Sequence, residues 1–279
     1  MPSIKKFAAG SGTITSIYDG ELLLGPEMFS GISDAEVTKC LANIGQTEGP
    51  VSGSLNAYLY QDGDKTILID SGGKAAIPGT GQLLDGLKLA SIAPRDIDMV
   101  LCTHLHPDHI GGLIDNGEAV FTNAELKVNE ADREFWLNAE NREKTPEDFK
   151  VFFDLAGAVL NAYQDRISTF IGEAEVVSGV NSVPLPGHTP GHSGFQIGDG
   201  ENGLLIWGDI VHVQAFQMPQ PKASIAFDVD SQTAVATRIA MFERASKERL
   251  RIAGMHLAHP GVGHVVARGD GFWLEPAHI

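Results

Sequence analysis

His104-Leu105-His106-Pro107-Asp108-His109, followed at once by Ile110-Gly111-Gly112, places four metal-ligating side chains within six residues. An ordinary core has no use for that density of polar groups, because each buried imidazole or carboxylate needs a partner. The stretch is entered from Ile97-Asp98-Met99-Val100-Leu101-Cys102, an apolar run that reads as a strand ending at Thr103. In an extended strand end, His104 and His106 point to one side. Pro107 then turns the chain, so that Asp108 and His109 can face the same pocket from another direction. Two ligand pairs with different approach vectors suit two cations better than one. Imidazole with carboxylate favours zinc, with manganese, iron and cobalt as competitors.

Three later segments supply the remaining ligand types. Pro186-Gly187-His188-Thr189-Pro190-Gly191-His192 sets His188 on a glycine-flanked loop. Leu204-Leu205-Ile206-Trp207-Gly208-Asp209 is an apolar strand ending in a carboxylate, and Gly254-Met255-His256 adds a last histidine. His259, three residues further on, competes with His256 for that role. A dinuclear site takes about three or four ligands per ion and commonly shares a carboxylate, and this set meets that need.

On these residues the chain resembles the metallo-β-lactamase superfamily, whose HxHxDH motif, later histidine, strand-end aspartate and final histidine occur here in order between about Leu55 and Gly263. The phrases Pro186 to His192, Trp207-Gly208-Asp209-Ile210-Val211-His212 and His256 to His264 are similar to those of the methyl parathion hydrolase and lactonase-like branch. The resemblance implies an α/β fold, the αββα sandwich of two mixed sheets flanked by helices. It implies one metal on His104, His106 and His188, a second on Asp108, His109 and His256, and Asp209 between them. It also favours His256 over His259. Two divalent ions are expected, Zn2+ first, with Mn2+, Fe2+ or Co2+ as alternatives. A hydroxide shared by ions ~3.5–4 Å apart would then attack the substrate, its basicity tuned by the catalytic carboxylates Asp108 and Asp209.

The expected activity is that of a metal-dependent hydrolase opening acyl homoserine or aromatic lactones, or related esters. Organophosphate triester hydrolysis is the alternative, since both reactions need an activated hydroxide and a polarised oxygen. A glutathione-thioester hydrolase or a β-lactamase is a further alternative on the same scaffold. Against these, the C-terminal part shows no clear basic cluster for the glutathione carboxylates, and the phrase after His256 does not resemble the zinc β-lactamases. All seven ligand candidates are present, which argues against a non-enzymatic metal-binding domain. The sequence also lacks a GxSxG nucleophile elbow.

The 279 residues carry 43% apolar and 20% charged side chains, as expected of a soluble globular protein. One domain over 1–279 is expected, with an N-terminal extension of about 1–50 packed on it or on a partner subunit. The apolar Leu22-Leu23-Leu24 and Met28-Phe29 in that extension leave a homodimer open. A net charge of −16 argues against a nucleic-acid substrate and for a small neutral or apolar ester or lactone. No run approaches the ~20 apolar residues of a membrane span, nor does the start read as a signal peptide, so no membrane partner and a cytoplasmic location are expected. Nothing requires Cys40 and Cys102 to pair.

Asp62-Gly63 between alternating apolar runs predicts a hairpin, and Asp70 at its far end either orients a ligand histidine or makes a turn. Helical periodicity covers 81–90, 131–139, 146–163 and 231–250, and strands fit 125–128, 193–197 and 204–207. His192 and His264 read as loop or supporting groups. The aromatic-rich stretches around Phe135-Trp136, Phe152-Phe153 and Phe216 to Phe227 predict an apolar substrate cleft, with Trp136, His212 and Phe216 as its named candidates.

Overall fold

The computed structural model describes residues 1–279, the side chain of Ala75 excepted. Its frame is two seven-stranded sheets, each with its strands in chain order. The first holds β1 (Ile4–Ala9), β2 (Gly12–Leu24), β3 (Val51–Asp62), β4 (Lys65–Ile69), β5 (Met99–Leu101), β6 (Glu125–Asn129) and β7 (Ile167–Phe170). Pairing is antiparallel from β1 to β4 and parallel from β4 to β7. The second holds β8 (Glu175–Val177), β9 (Val180–Pro184), β10 (Ser193–Ile197), β11 (Leu204–Ile206), β12 (Arg251–Ala253), β13 (Val262–Arg268) and β14 (Gly271–Pro276). Here β11 and β12 are parallel and the other neighbours antiparallel.

Period-two alternation decides which side chains fill which layer. Tyr58, Tyr60, Ile67, Ile69, Leu204 and Ile206 share one buried cluster between the sheets. Their neighbours Ala57, Leu59 and Leu68 face outward, where Leu83 and Leu87 of α2 (Leu83–Leu89), Trp136 of α4 (Glu130–Leu137) and Phe153, Val159 and Leu160 of α6 (Lys150–Ala162) cover them. On the second sheet, Leu205 and Ile252 face Met241, Phe242 and Ala245 of α8 (Ser231–Glu248). Helix, sheet, sheet and helix form the αββα sandwich.

Residues 1–50, read from the sequence as an extension, contribute β1 and β2 to the first sheet. They also contain α1 (Asp34–Asn43), and Phe29–Ser30 pairs with Ser224–Ile225. The remaining helices are α3 (Pro107–Ile110), α5 (Ala139–Lys144) and α7 (Gln214–Gln217). Every ligand candidate follows the carboxyl end of a strand: His104 to His109 after β5, His188 after β9, Asp209 after β11 and His256 after β12. Because β4, β5 and β6 run parallel, as do β11 and β12, those ends gather at one edge of the sandwich. Strand ends at such an edge leave polar groups free to converge.

Candidate metal centre

Four loops meet here, and three of them are fixed by backbone hydrogen bonds to buried carboxylates or rings. Asp70, just past β4, accepts from the Thr103 amide at 2.8 Å and the Thr103 hydroxyl at 2.7 Å, and its Oδ2 lies 2.7 Å from His109 Nδ1. The carboxylate therefore sets the histidine motif and points His109 Nε2 inward. Asp70 has φ 57°, a left-handed conformation that costs energy for a residue with a Cβ and is held here by those bonds. Asp132 of α4 accepts from the Leu105 amide at 3.1 Å and the Gly191 amide at 2.6 Å, tying the first histidine loop to the second. His192 spans the base of the site: its Nδ1 meets the Leu185 carbonyl at 2.7 Å, and its Nε2 accepts from the Asp209 amide at 2.9 Å.

Pro107 occupies the first turn of α3, where its missing N–H costs nothing, and this short helix swings Asp108 and His109 toward the strand-end histidines. Gly111 and Gly112 permit the close approach behind it, since a Cβ at either would collide with the carbonyl oxygens of Gly73 and Ser71.

The seven predicted ligands come together in two groups. His104, His106 and His188 form one, and Asp108, His109, Asp209 and His256 form the other. His106 Nδ1 lies 2.9 Å from His188 Nε2. Asp108 Oδ2 lies 3.4 Å from both His109 Nε2 and His256 Nε2. Asp209 Oδ2 is the hub, 3.1 Å from His109 Nε2 and His256 Nε2, 3.4 Å from His188 Nε2 and 3.7 Å from His104 Nε2. His259 stands apart, its Nδ1 3.0 Å from Asn56 Oδ1.

A further group joins His188 and Asp209 to His212, whose Nε2 is 3.2 Å from Asp209 Oδ2 and whose ring stacks on His256 at 5.1 Å and 16°. His212 thus sits in the cluster as well as in the wall of the cleft. Trp136 meets His106 edge-on at 5.3 Å and lines an adjoining aromatic cavity. Phe216 is a correction. The short helix α7 turns it away from the cleft into a cluster with Leu24, Phe29 and Val51, where it packs edge-on against Phe29 at 5.2 Å.

The electrostatics are those of a cation cage. Burial pushes His104 and His106 well below the ordinary imidazole pKa, and the neighbouring histidines add to the effect. Burial also opposes charge on His109, but Asp209, Asp108 and Asp70 outweigh it and raise that ring well above its usual value. His188 is likewise raised to about 9 against its burial, by hydrogen bonds to Asp209 and to Asp228. Asp209 resists its own burial because His109, His256 and His212 hold it well below the carboxylate range.

Among the described residues, His104 Nε2, Asp209 Oδ1, His256 Nδ1 and both His212 ring nitrogens are buried without a hydrogen-bond partner. Unpaired polar atoms at that depth are costly, and lone pairs on imidazole and carboxylate suit divalent cations of the zinc type. The residues fit a pair of such ions.

Asp228 gives no sign in the sequence of its part. Its Oδ1 lies 2.8 Å from His188 Nδ1, and its Oδ2 accepts from the Ile225 amide at 3.1 Å and lies 3.9 Å from Arg238. Arg238, on α8 and 1% exposed, donates to the carbonyls of Ile210 and Ala223 at 2.7 Å and of Pro221 at 3.2 Å. One buried cation thereby anchors the loop between Asp209 and Asp228. A lone Asp in a loop and a lone Arg in a helix carry no spacing that would single them out.

Comparison with known proteins agrees with this geometry. The hydrolase AbOPH of the beta lactamase superfamily superposes with a TM-score of 0.93 at 30% identity, covering 100% of this chain and 99% of that one. AidC, a dizinc quorum-quenching lactonase solved with its product, gives 0.92 at 27% identity over 100% and 98%. Uncharacterized protein YobT of Bacillus subtilis (strain 168) is 29% identical over 166 residues, 59% of this chain. The N-acyl homoserine lactonase of Bacillus cereus is 27% identical over 169 residues, 53% of this chain. The matched parts span 63% and 60% of those two curated proteins. The profile of the metallo-beta-lactamase superfamily matches residues 52–245, most of the sandwich and all the ligand loops except the one bearing His256. The chain belongs to the metallo-beta-lactamase superfamily.

Proposed function

We propose that this chain is a dinuclear metal-dependent hydrolase that opens lactones or related neutral esters. The observation that carries the reading is the cleft over the cluster. It has a volume of about 700 Å³ and walls of Leu22, Leu23, Leu24, Met28, Phe152 and Phe227, and its floor is His106, Asp108, Asp209 and His212. Apolar walls recruit a neutral, weakly hydrated substrate, and the few polar groups at the floor mark where its reacting carbonyl lies. The likeness to two lactonases, AidC and the Bacillus cereus protein, supports the choice of substrate.

In this reading His104, His106 and His188 would hold one ion and Asp108, His109 and His256 the other, with Asp209 as the carboxylate they would share. Zinc is the proposed metal. When bound, such ions supply Lewis acidity and make water a nucleophile near neutral pH. The chain's own groups do the rest. His109, His188 and His104 are locked in orientation by Asp70, Asp228 and the Thr103 hydroxyl, the last 3.0 Å from His104 Nδ1. Asp108 keeps its charge, because His109 and His256 outweigh its burial, so it can accept a hydrogen bond from the attacking water. His212 is neutral at pH 7, burial lowering its pKa to about 4, and a neutral ring facing the cleft can donate one N–H to a substrate oxygen. The water oxygen bonds to the carbonyl carbon, the ring C–O bond breaks, and the proton that the water gives up passes to the leaving alkoxide, which yields the hydroxy acid.

The test is a hydrolysis panel on zinc-loaded protein, with alkyl and aromatic lactones, phosphotriesters, β-lactams and glutathione thioesters. Lactone or ester turnover that leads the panel is expected. Robust phosphotriester turnover with negligible lactone opening would replace this reading with the phosphotriesterase one.

A further inference from the structure

We propose that Asn56 is a positioning residue for His256. From the first sheet it moulds the loop that carries this ligand on the second, and so sets how tightly the metal position of Asp108, His109 and His256 is filled. The inference rests on the two-ion reading for the metal, and on this chain's own geometry for the residue. The candidate ligands differ in what holds them. The Nδ1 atoms of His104, His109 and His188 meet Thr103, Asp70 and Asp228. His256 Nδ1 is buried and has no hydrogen-bond partner among the described residues. Its Nε2 faces Asp108 and Asp209 and its ring stacks on His212, but no hydrogen bond behind the ring sets its angle. The aim of this ligand therefore comes from its backbone.

That backbone is a turn between β12 and β13, so no strand partner pairs its carbonyls, and those that are buried need donors from elsewhere. Strand β3 supplies them. Period-two alternation puts Ser54, Asn56 and Tyr58 on one face of β3, toward the turn. Asn56 is 1% exposed, and its Nδ2 donates to the Leu257 carbonyl at 2.8 Å and the Met255 carbonyl at 3.0 Å. These lie one residue after and one before His256. The Asn56 backbone amide adds a 2.8 Å bond to Met255. With Nδ2 committed to carbonyls, Oδ1 is the atom that accepts from His259 Nδ1 at 3.0 Å. On either side, the Tyr58 hydroxyl donates to the Gly254 carbonyl at 2.9 Å, and Ser54 Oγ accepts from the His259 amide at 3.1 Å. Gly261 permits the approach, since a Cβ there would lie 2.5 Å from the Tyr58 hydroxyl. One carboxamide thus grips the chain on both sides of the ligand, and it does so across two sheets that share no strand.

The test is a Co2+ titration against a competing chelator, followed by visible absorption. It needs no turnover, so it is read separately from the hydrolysis panel. Wild type should fill in two steps, and His256→Ala identifies the step that belongs to this ligand by abolishing it. Asn56→Ala should weaken that step about 10–100-fold and leave the other unchanged. A matched pair of hydroxyl deletions decides even where Asn56→Ala fails to fold. Tyr58→Phe loses the bond to Gly254 and should weaken the same step by up to about tenfold. Tyr60→Phe removes the same atom two residues along β3, where its partner is Asp62 at 3.3 Å, and should weaken neither step. Both steps unchanged in Asn56→Ala, both weakened alike, or equal effects of the two tyrosine variants would overturn the positioning role while the dinuclear reading stands. A single step in wild type would refute the dinuclear reading and the positioning role with it.

Discussion

Asp209 Oδ2 lies within 3.7 Å of the ring nitrogens of His104, His109, His188, His212 and His256, and no other side chain of the site reaches so many partners. Removing it leaves five imidazoles facing one another, so Asp209→Ala should lose bound metal and reduce turnover by more than about a thousandfold, read by elemental analysis beside kinetics. Asp228→Asn leaves the ligands in place but weakens the acceptor behind His188. It should lower metal affinity about 10–100-fold in a chelator competition while the fold persists. Unchanged affinity would reduce Asp228 to a turn residue. The two cases also mark what the sequence disclosed. The seven candidate ligands were legible because only a few residue types bind such cations, and their order along the chain is restrictive. Asp228 was not, since Phe227-Asp228-Val229 looks like any loop, and its histidine partner lies 40 residues away. Phe216 misled for the converse reason: an aromatic on a loop near the site has the same letters whether it faces substrate or core.

The elements explain why these residues meet. Parallel neighbours β4 and β5, and β11 and β12, bring their carboxyl ends side by side, so short segments past them deliver Asp70, His104, Asp209 and His256 to one edge. Alternating strands and the longer helices α6 and α8 could be read from periodicity. Helix α1 could not, because few of its residues are buried. Its signal was the capping box instead, in which the Ser33 amide donates to Glu36 at 2.8 Å. That Glu175 and Leu274 belong to one sheet had no local signature, being a long-range pairing. Two predictions belong to this scale. Gly112→Ala forces a methyl group against the Ser71 carbonyl and should destabilise by about 1–3 kcal/mol in urea melts, more than an alanine at Gly157 of α6, where the added methyl group meets open space. Arg238→Met leaves the Ile210, Pro221 and Ala223 carbonyls without their donor and should cost about 2–4 kcal/mol, with looser metal binding as the loop relaxes. A variant as stable as wild type would show that water replaces the guanidinium without loss.

For the whole molecule, the sandwich is a rigid support and the site a charge trap whose protons compete with metal. His109 and His188 are both raised above the ordinary imidazole value, the latter to about 9, so both carry protons at pH 7 before metal enters. Each must be neutral to ligate. Metal uptake should therefore release protons, and affinity should rise with pH through about 9, where His188 loses its proton. Calorimetry in buffers of different ionisation enthalpy reads this directly, and a buffer-independent heat would refute it. The chain's net charge is −16, and no described helix is long and apolar enough to cross a membrane. The most direct test of the account is the zinc content of the purified, zinc-loaded chain by elemental analysis. Two ions per chain are predicted; one ion or none in a folded, monodisperse preparation would contradict the dinuclear centre.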